Sequence, residues 1–148
     1  MKNKKNISVE WKENLQFIAT NDKTDAQIAI AVKDESQKEA LKGTEPKYVF
    51  LQGLAGCSAG AIIFLLQKMR VEMPTAFKMD VSGTLTTEHP MFFKTIDITY
   101  HFEGNTDIEM LKKVVKMSEE KYCGLTYMLS KVSKINIIIT KDGKTIER

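Results

Sequence analysis

Cysteine is scarce in this chain: two among 148 residues, Cys57 and Cys123. That excludes a disulfide framework, a CxxC redox motif and a cysteine-built zinc site. In a reducing compartment both should rest as thiols. Proline occurs three times, at positions 46, 74 and 90, so a long stretch between the first two is free of helix breakers. Excess charge is missing too. Twenty-two Lys and Arg face nineteen Asp and Glu, a net charge of +3, and most lysines are interleaved with acids. This is the pattern of solvated helix faces, and no nucleic-acid partner is expected. Lys2, Lys4 and Lys5 form a short basic start that reads as a solubilising tail. It runs into "NISVEWKEN", with no apolar block behind it, so no secretory leader and a cytoplasmic location are expected.

What is present is an ordinary globular composition, 43% hydrophobic and 28% charged. The length suits one domain, residues 1–148, with one core. Apolar residues alternate with polar ones at Ile7, Val9 and Trp11, at Leu15 and Phe17, and at Ile28, Ile30 and Val32. That period of two predicts half-buried antiparallel strands, with "KEN" (Lys12–Asn14) as a tight turn and "TNDKTD" (Thr20–Asp25) as a looser one. "KDESQKEALKG" (Lys33–Gly43) reads as a connecting loop or short helix. "GTEP" then opens a helix, with Thr44 as cap and Pro46 in the first turn, running to about Arg70, or roughly 37 Å.

Two more strands follow, one through Phe77, Met79, Val81 and Leu85, the other through Phe92, Ile96, Ile98, Tyr100 and Phe102, joined by "TTEHP". Thr106 and Glu109 stand at capping-box spacing ahead of a stripe of Ile108, Leu111, Val115, Ser118 and Tyr122. Gly124 reads as its stop. Leu125, Met128, Leu129 and Val132 give a second short helix, "INIII" (Ile135–Ile139) a strand, and "KDGK" a turn into a tail. The expected order is βββ–α–ββ–αα–β, an α+β domain without internal repeats.

The most unusual stretch is "QGLAGCSAGAIIFLLQ" (Gln52–Gln67), almost uncharged and holding Gly53, Gly56 and Gly60. Tyr48–Gln67 has the length of a bilayer crossing, and Gly56 and Gly60 have small-xxx-small spacing. Against a membrane span stand Gln52, Gln67 and a centre of Gly, Ala and Ser, beside strands that need a helix to cover them. A buried core helix is expected, and no membrane. Each helical glycine sacrifices about 1 kcal/mol against Ala, so the missing side chains should serve close approach by a backbone or a substrate. One sheet covers one side of a helix that is apolar all round, and a homodimer would cover another. Cys57 in this helix has two readings: a small buried hydrophobe, or a thiolate in a narrow apolar slot. Lying mid-helix, it gains nothing from the helix dipole. Cys123 is read as ending a helix, where partial negative charge disfavours a thiolate.

Four stretches, in this order, resemble the OsmC/Ohr family: "GTEPKYVFLQGLAGCSAG", "LLQKMR", "TTEHPMFFKTIDITYHFEG" and "SEEKYCGLTYMLSKVSKI". The "KMR", "EHP" and "EKYC" signatures are those of its OsmC-like, YhfA-like branch. The resemblance implies an OsmC-like α+β fold: antiparallel sheets packed on a long central buried helix, in an intertwined homodimer. It also implies thiol-dependent reduction of small organic hydroperoxides. Cys57 would attack the peroxide, Cys123 would resolve the product as a disulfide, and an external dithiol reductant would reopen it, with no metal or bound cofactor. The alternative is a non-enzymatic dimer of this fold that binds an apolar ligand or senses oxidants.

The chain departs from the family in two places. Lys47 stands where hydroperoxide reductases of the family carry Glu, and their N-terminal Arg has no counterpart, since Arg70 and Arg148 lie elsewhere. Lys47, Lys12, Glu88 and His89 are the candidate replacements. His89 and His101 otherwise read as a loop residue and a strand residue opposite Tyr100.

Overall fold

The computed structural model describes residues 3–36 and 41–148; Lys2 of the basic start and positions 37–40 of the predicted connection lie outside them. Clustering of the backbone divides the chain into Met1–Phe50 and Leu51–Arg148.

In the first unit, β1 (Ile7–Glu13), β2 (Gln16–Asn21) and β3 (Ile28–Ala31) form an antiparallel sheet in that order. The tight turn falls at Asn14–Leu15, two positions past the start of the expected turn. Asn14 takes a left-handed φ of 47°, which Asn tolerates well, and the pairing shifts between Trp11 and Glu13. Register sets Ile7, Val9 and Trp11 beside Ala19 and Phe17, and those beside Ile28 and Ile30, on one sheet face. The half-burial expected for β1 is not found: Ile7, Val9 and Trp11 are all exposed, because no layer of this unit covers them.

Thr44 does not act as the predicted side-chain cap. Its backbone bridges to β3, donating to the Ala29 carbonyl and accepting from Ala31 N–H. Gly43 permits this, since a Cβ there would stand 2.8 Å from the Ala29 oxygen. The Glu45 carbonyl accepts the first helical N–H groups instead, and Pro46 is the first helical residue.

Helix α1 (Pro46–Lys68) follows and ends two residues before the expected Arg70. Arg70 adopts φ 54°, its N–H bonds the Gln67 carbonyl, and the Val71 N–H reaches back to Leu66. This is a Schellman closure made without glycine, with Val71 packed on the core.

The second unit holds a four-stranded sheet in the order β4 (Ala76–Leu85), β5 (Phe93–Glu103), β6 (Lys134–Lys141), β7 (Lys144–Ile146). The expectation of purely antiparallel sheets is corrected here: β5 and β6 run parallel. The helical segment between them, α2 (Ile108–Met117), a π-helical turn (Ser118–Tyr122) and α3 (Gly124–Leu129), forms the crossover that a parallel pair requires. The inner sheet face carries Phe77, Met79 and Val81, then Ile96, Ile98, Tyr100 and Phe102, then Ile135, Ile137 and Ile139. These join Leu54, Ile62, Leu65 and Leu66 of α1 and Leu111, Val114 and Val115 of α2 in one core. The outer face is polar. On it His101 bridges Asp80 and Thr140, and Asn136 donates to Asp97.

The expected central buried helix is buried along one face only. Leu54, Ser58, Ile62, Leu65 and Leu66 are covered, whereas Gly53, Gly56, Gly60 and Phe64 are exposed. One sheet and one helix layer reach one side of a cylinder. Among the described residues α1 is the helix long and apolar enough to cross a membrane, with a third of its apolar window buried.

Candidate active site

Cys57 lies on the border between the two faces of α1, half-buried, with fully buried Ser58 on one side and exposed Gly56 on the other. Its thiol meets the start of α3. Burial raises the Cys57 pKa most, and a hydrogen bond with Cys123 raises it further. The Leu125 and Gly124 backbone N–H groups pull the other way. The two cysteines predicted from sequence thus lie near enough for Cys123 to bear on the acidity of Cys57, and both belong to the same apolar core. Among the described residues, no cation joins the groups that shift the acidity of Cys57.

The setting of Cys123 corrects the sequence reading. It does not simply end a helix. It is the cap residue of α3, in an extended conformation (φ −94°, ψ 95°), and Gly124 opens α3 where a stop was expected. The break arises because the Cys123 N–H closes the π-helical turn on the Ser118 carbonyl at 2.8 Å. Its Sγ accepts from the Thr126 hydroxyl at 3.1 Å and lies 3.5 Å from the Thr126 backbone nitrogen. Cys123 is fully buried.

Behind the sulfurs lies a set of hydroxyls that the sequence reading missed. Ser58 Oγ is 2.6 Å from the Tyr100 hydroxyl and 3.5 Å from Ser118 Oγ, and all three residues are fully buried. Burial pushes the Tyr100 pKa up to about 12, so the phenol stays neutral and able to donate at physiological pH. Beyond it, Arg148 pairs with Glu119 on the π-helical turn. Burial raises the Glu119 carboxyl, and Arg148 opposes that shift. A usable signal for Ser58 was the row Leu54, Ser58, Ile62, Leu66 at four-residue spacing, which sets a serine in an apolar stripe.

The candidate replacements for the family's charged pair are each placed by their own surroundings. Lys12 is ion-paired with Glu10, Lys47 is exposed in the first turn of α1, and Glu88 and His89 stand in the exposed β4–β5 connection. His101 is on the outer sheet face, as expected. Asp107, not Thr106, caps α2 by accepting from Met110, while Thr106 donates to the Glu72 carbonyl. A cleft of about 480 Å³ beside Thr126, Tyr127 and Lys134 is not lined by either cysteine. Among the described residues no three His, Cys, Asp or Glu side chains converge as metal ligands.

An α+β chain with one thiol in a long glycine-bearing helix and a second thiol against it is the arrangement of an OsmC-like protein. The sequence profile of that family, described as OsmC-like protein, matches residues 35–138, and the chain belongs to the family. It is 28% identical to Protein YhfA of Escherichia coli K12 over 133 residues, covering 86% of this chain and 90% of that protein. Among solved structures, the OsmC-like protein of Mycoplasma pneumoniae superposes with a TM-score of 0.80 at 20% identity, covering 95% and 99% of the two chains. The organic hydroperoxide resistance protein OhrB of Bacillus subtilis superposes with a TM-score of 0.69 at 12% identity, covering 95% and 100%.

Proposed function

We propose that this protein is a two-cysteine thiol peroxidase that reduces small organic hydroperoxides. The observation that carries the reading is the nearness of a half-exposed Cys57 to a buried Cys123, packed on one core. The Cys57 thiolate attacks the outer peroxide oxygen. The O–O bond breaks, the alcohol leaves with a proton, and Cys57 becomes a sulfenic acid. The Cys123 thiol then attacks that sulfur and water departs as the disulfide forms. An external dithiol reduces the disulfide and is itself oxidised. A resolving thiol close by stops over-oxidation. The similarity to a protein named for organic hydroperoxide resistance supports the same reading.

A second copy of the chain is part of the proposal. Gly53, Gly56 and Gly60 have nothing within 4 Å of an added Cβ, and Phe64 beside them is half exposed. With Ile7, Val9 and Trp11 also uncovered, the chain presents more apolar surface than a monomer ordinarily leaves in water. A homodimer in a reducing cytoplasm answers both the bare surface and the free thiols.

One observation favours a second reading, an oxidant sensor or ligand binder of the same fold: burial holds the Cys57 thiol above its ordinary pKa, with no cation among the described residues to offset it. Reduced protein treated with tert-butyl hydroperoxide and followed by mass spectrometry separates the two. Rapid, stoichiometric Cys57–Cys123 disulfide, lost in Cys57→Ser, is expected. Slow and unselective oxidation would overturn the peroxidase.

A further inference from the structure

We infer that the buried hydroxyls of Tyr100, Ser58 and Ser118 form a positioning device that fixes α1 against the π-helical turn, and with it Cys57 relative to Cys123, with Tyr100 as its anchor. The inference deepens the peroxidase reading and rests on it for its role in catalysis.

The geometry is specific. Ser58 follows Cys57 directly on α1, and Ser118 is the residue whose carbonyl receives the Cys123 N–H. The Ser58–Ser118 approach, at 3.5 Å, therefore joins the two sulfur-bearing elements one short step from each sulfur. That contact is loose by itself. The Tyr100 hydroxyl, 2.6 Å from Ser58 Oγ and fixed to the central strand β5, gives it direction. Tyr100 is fully buried, and its ring stacks near Phe77, with centroids 6.4 Å apart.

Stability alone does not call for these hydroxyls. Burying one costs about 1–3 kcal/mol unless it is bonded, and apolar groups of the same shape do nearly as well. What an apolar replacement cannot supply is a directional link between α1 and the π-helical turn. π turns are rare interruptions of regular helix, frequent at functional sites, and Cys123 sits at the end of this one. Without the link, the core would still fill, but the start of α3 would lose its fixed distance from Cys57.

The test is a redox equilibrium with glutathione, which needs no peroxide. Oxidised glutathione takes up two electrons as Cys57 and Cys123 lose two protons and form their disulfide, releasing two reduced glutathiones. The equilibrium constant reports the effective concentration of one thiol at the other. Tyr100→Phe should lower it about tenfold, the worth of one hydrogen bond. Ser58→Ala should do the same if Tyr100→Phe folds poorly. Ile98→Val, a core truncation on the same strand, should leave it unchanged, which separates positioning from loss of stability. Wild-type constants in both hydroxyl variants would overturn the inference. Failure of the wild type to react with tert-butyl hydroperoxide, alongside a lowered constant in Tyr100→Phe, would overturn the peroxidase and leave the positioning role standing.

Discussion

The two faces of α1 make opposite demands on one helix. The face bearing Leu54, Ser58, Ile62, Leu65 and Leu66 is fully covered and fills the core of the second unit. On the other face, among the described residues nothing lies within 4 Å of a Cβ added at Gly53, Gly56 or Gly60, and the three glycines weaken the helix by about 3 kcal/mol in total. A chain selected for its own stability alone would carry alanine there. The comparison teaches that core packing accounts for one face of α1 only, which is why the proposal adds a second copy for the other, and Cys57 stands on the border between the two.

Three substitutions sharpen or break this contrast. The largest effect belongs to the covered face: Leu65→Ala should cost about 2–5 kcal/mol in urea unfolding, because it opens a cavity in a closed core. A loss under 1 kcal/mol would mean that this face is not the core.

Next comes the polar anchor of the same face. The Tyr100 pKa is raised to about 12 when folded, against 10 for free tyrosine, so ionised phenol is worse tolerated in the folded state. Tyr100 therefore contributes stability that is fully present below about pH 10 and lost as pH rises towards 12. The two units of difference amount to about 3 kcal/mol. Alkaline unfolding of Tyr100→Phe, followed by circular dichroism, should lack that step.

The smallest effect lies on the open face. Gly60→Ala should gain about 1 kcal/mol by helix propensity in dilute protein, and lose that gain at concentrations where two copies associate. Unfolding measured across a concentration series checks the reversal. A gain at every concentration would show that this face is never covered.

Much of the fold was legible. Period-two runs located β1 to β5, the apolar run Ile135–Ile139 located β6, and Pro46 marked the start of α1 to the residue. The misses have physical causes. Gly124 and Cys123 read as a helix stop because glycine commonly ends helices, but a π turn displaced the break by one residue and made Cys123 a cap. Thr44 looked like a cap until its backbone was found engaged with β3, a long-range bridge that local spacing cannot reveal. The parallel pairing of β5 with β6 is likewise a tertiary outcome. At the site, the nearness of Cys57 to Cys123 was implied by family resemblance and not by spacing. The hydroxyls went unseen because each looks unremarkable alone, and they meet only when α1, β5 and the π turn converge.

The position of Trp11 has a practical consequence. It is the sole indole in the chain, and it lies 65% exposed on the edge strand β1 close to the β1–β2 turn, its Nε1 donating to the Asn14 carbonyl. Its emission therefore comes from a water-facing site with no competing fluorophore of its kind. A blue shift on concentration would register the moment that surface goes dry, giving a label-free optical gauge of assembly built into the molecule.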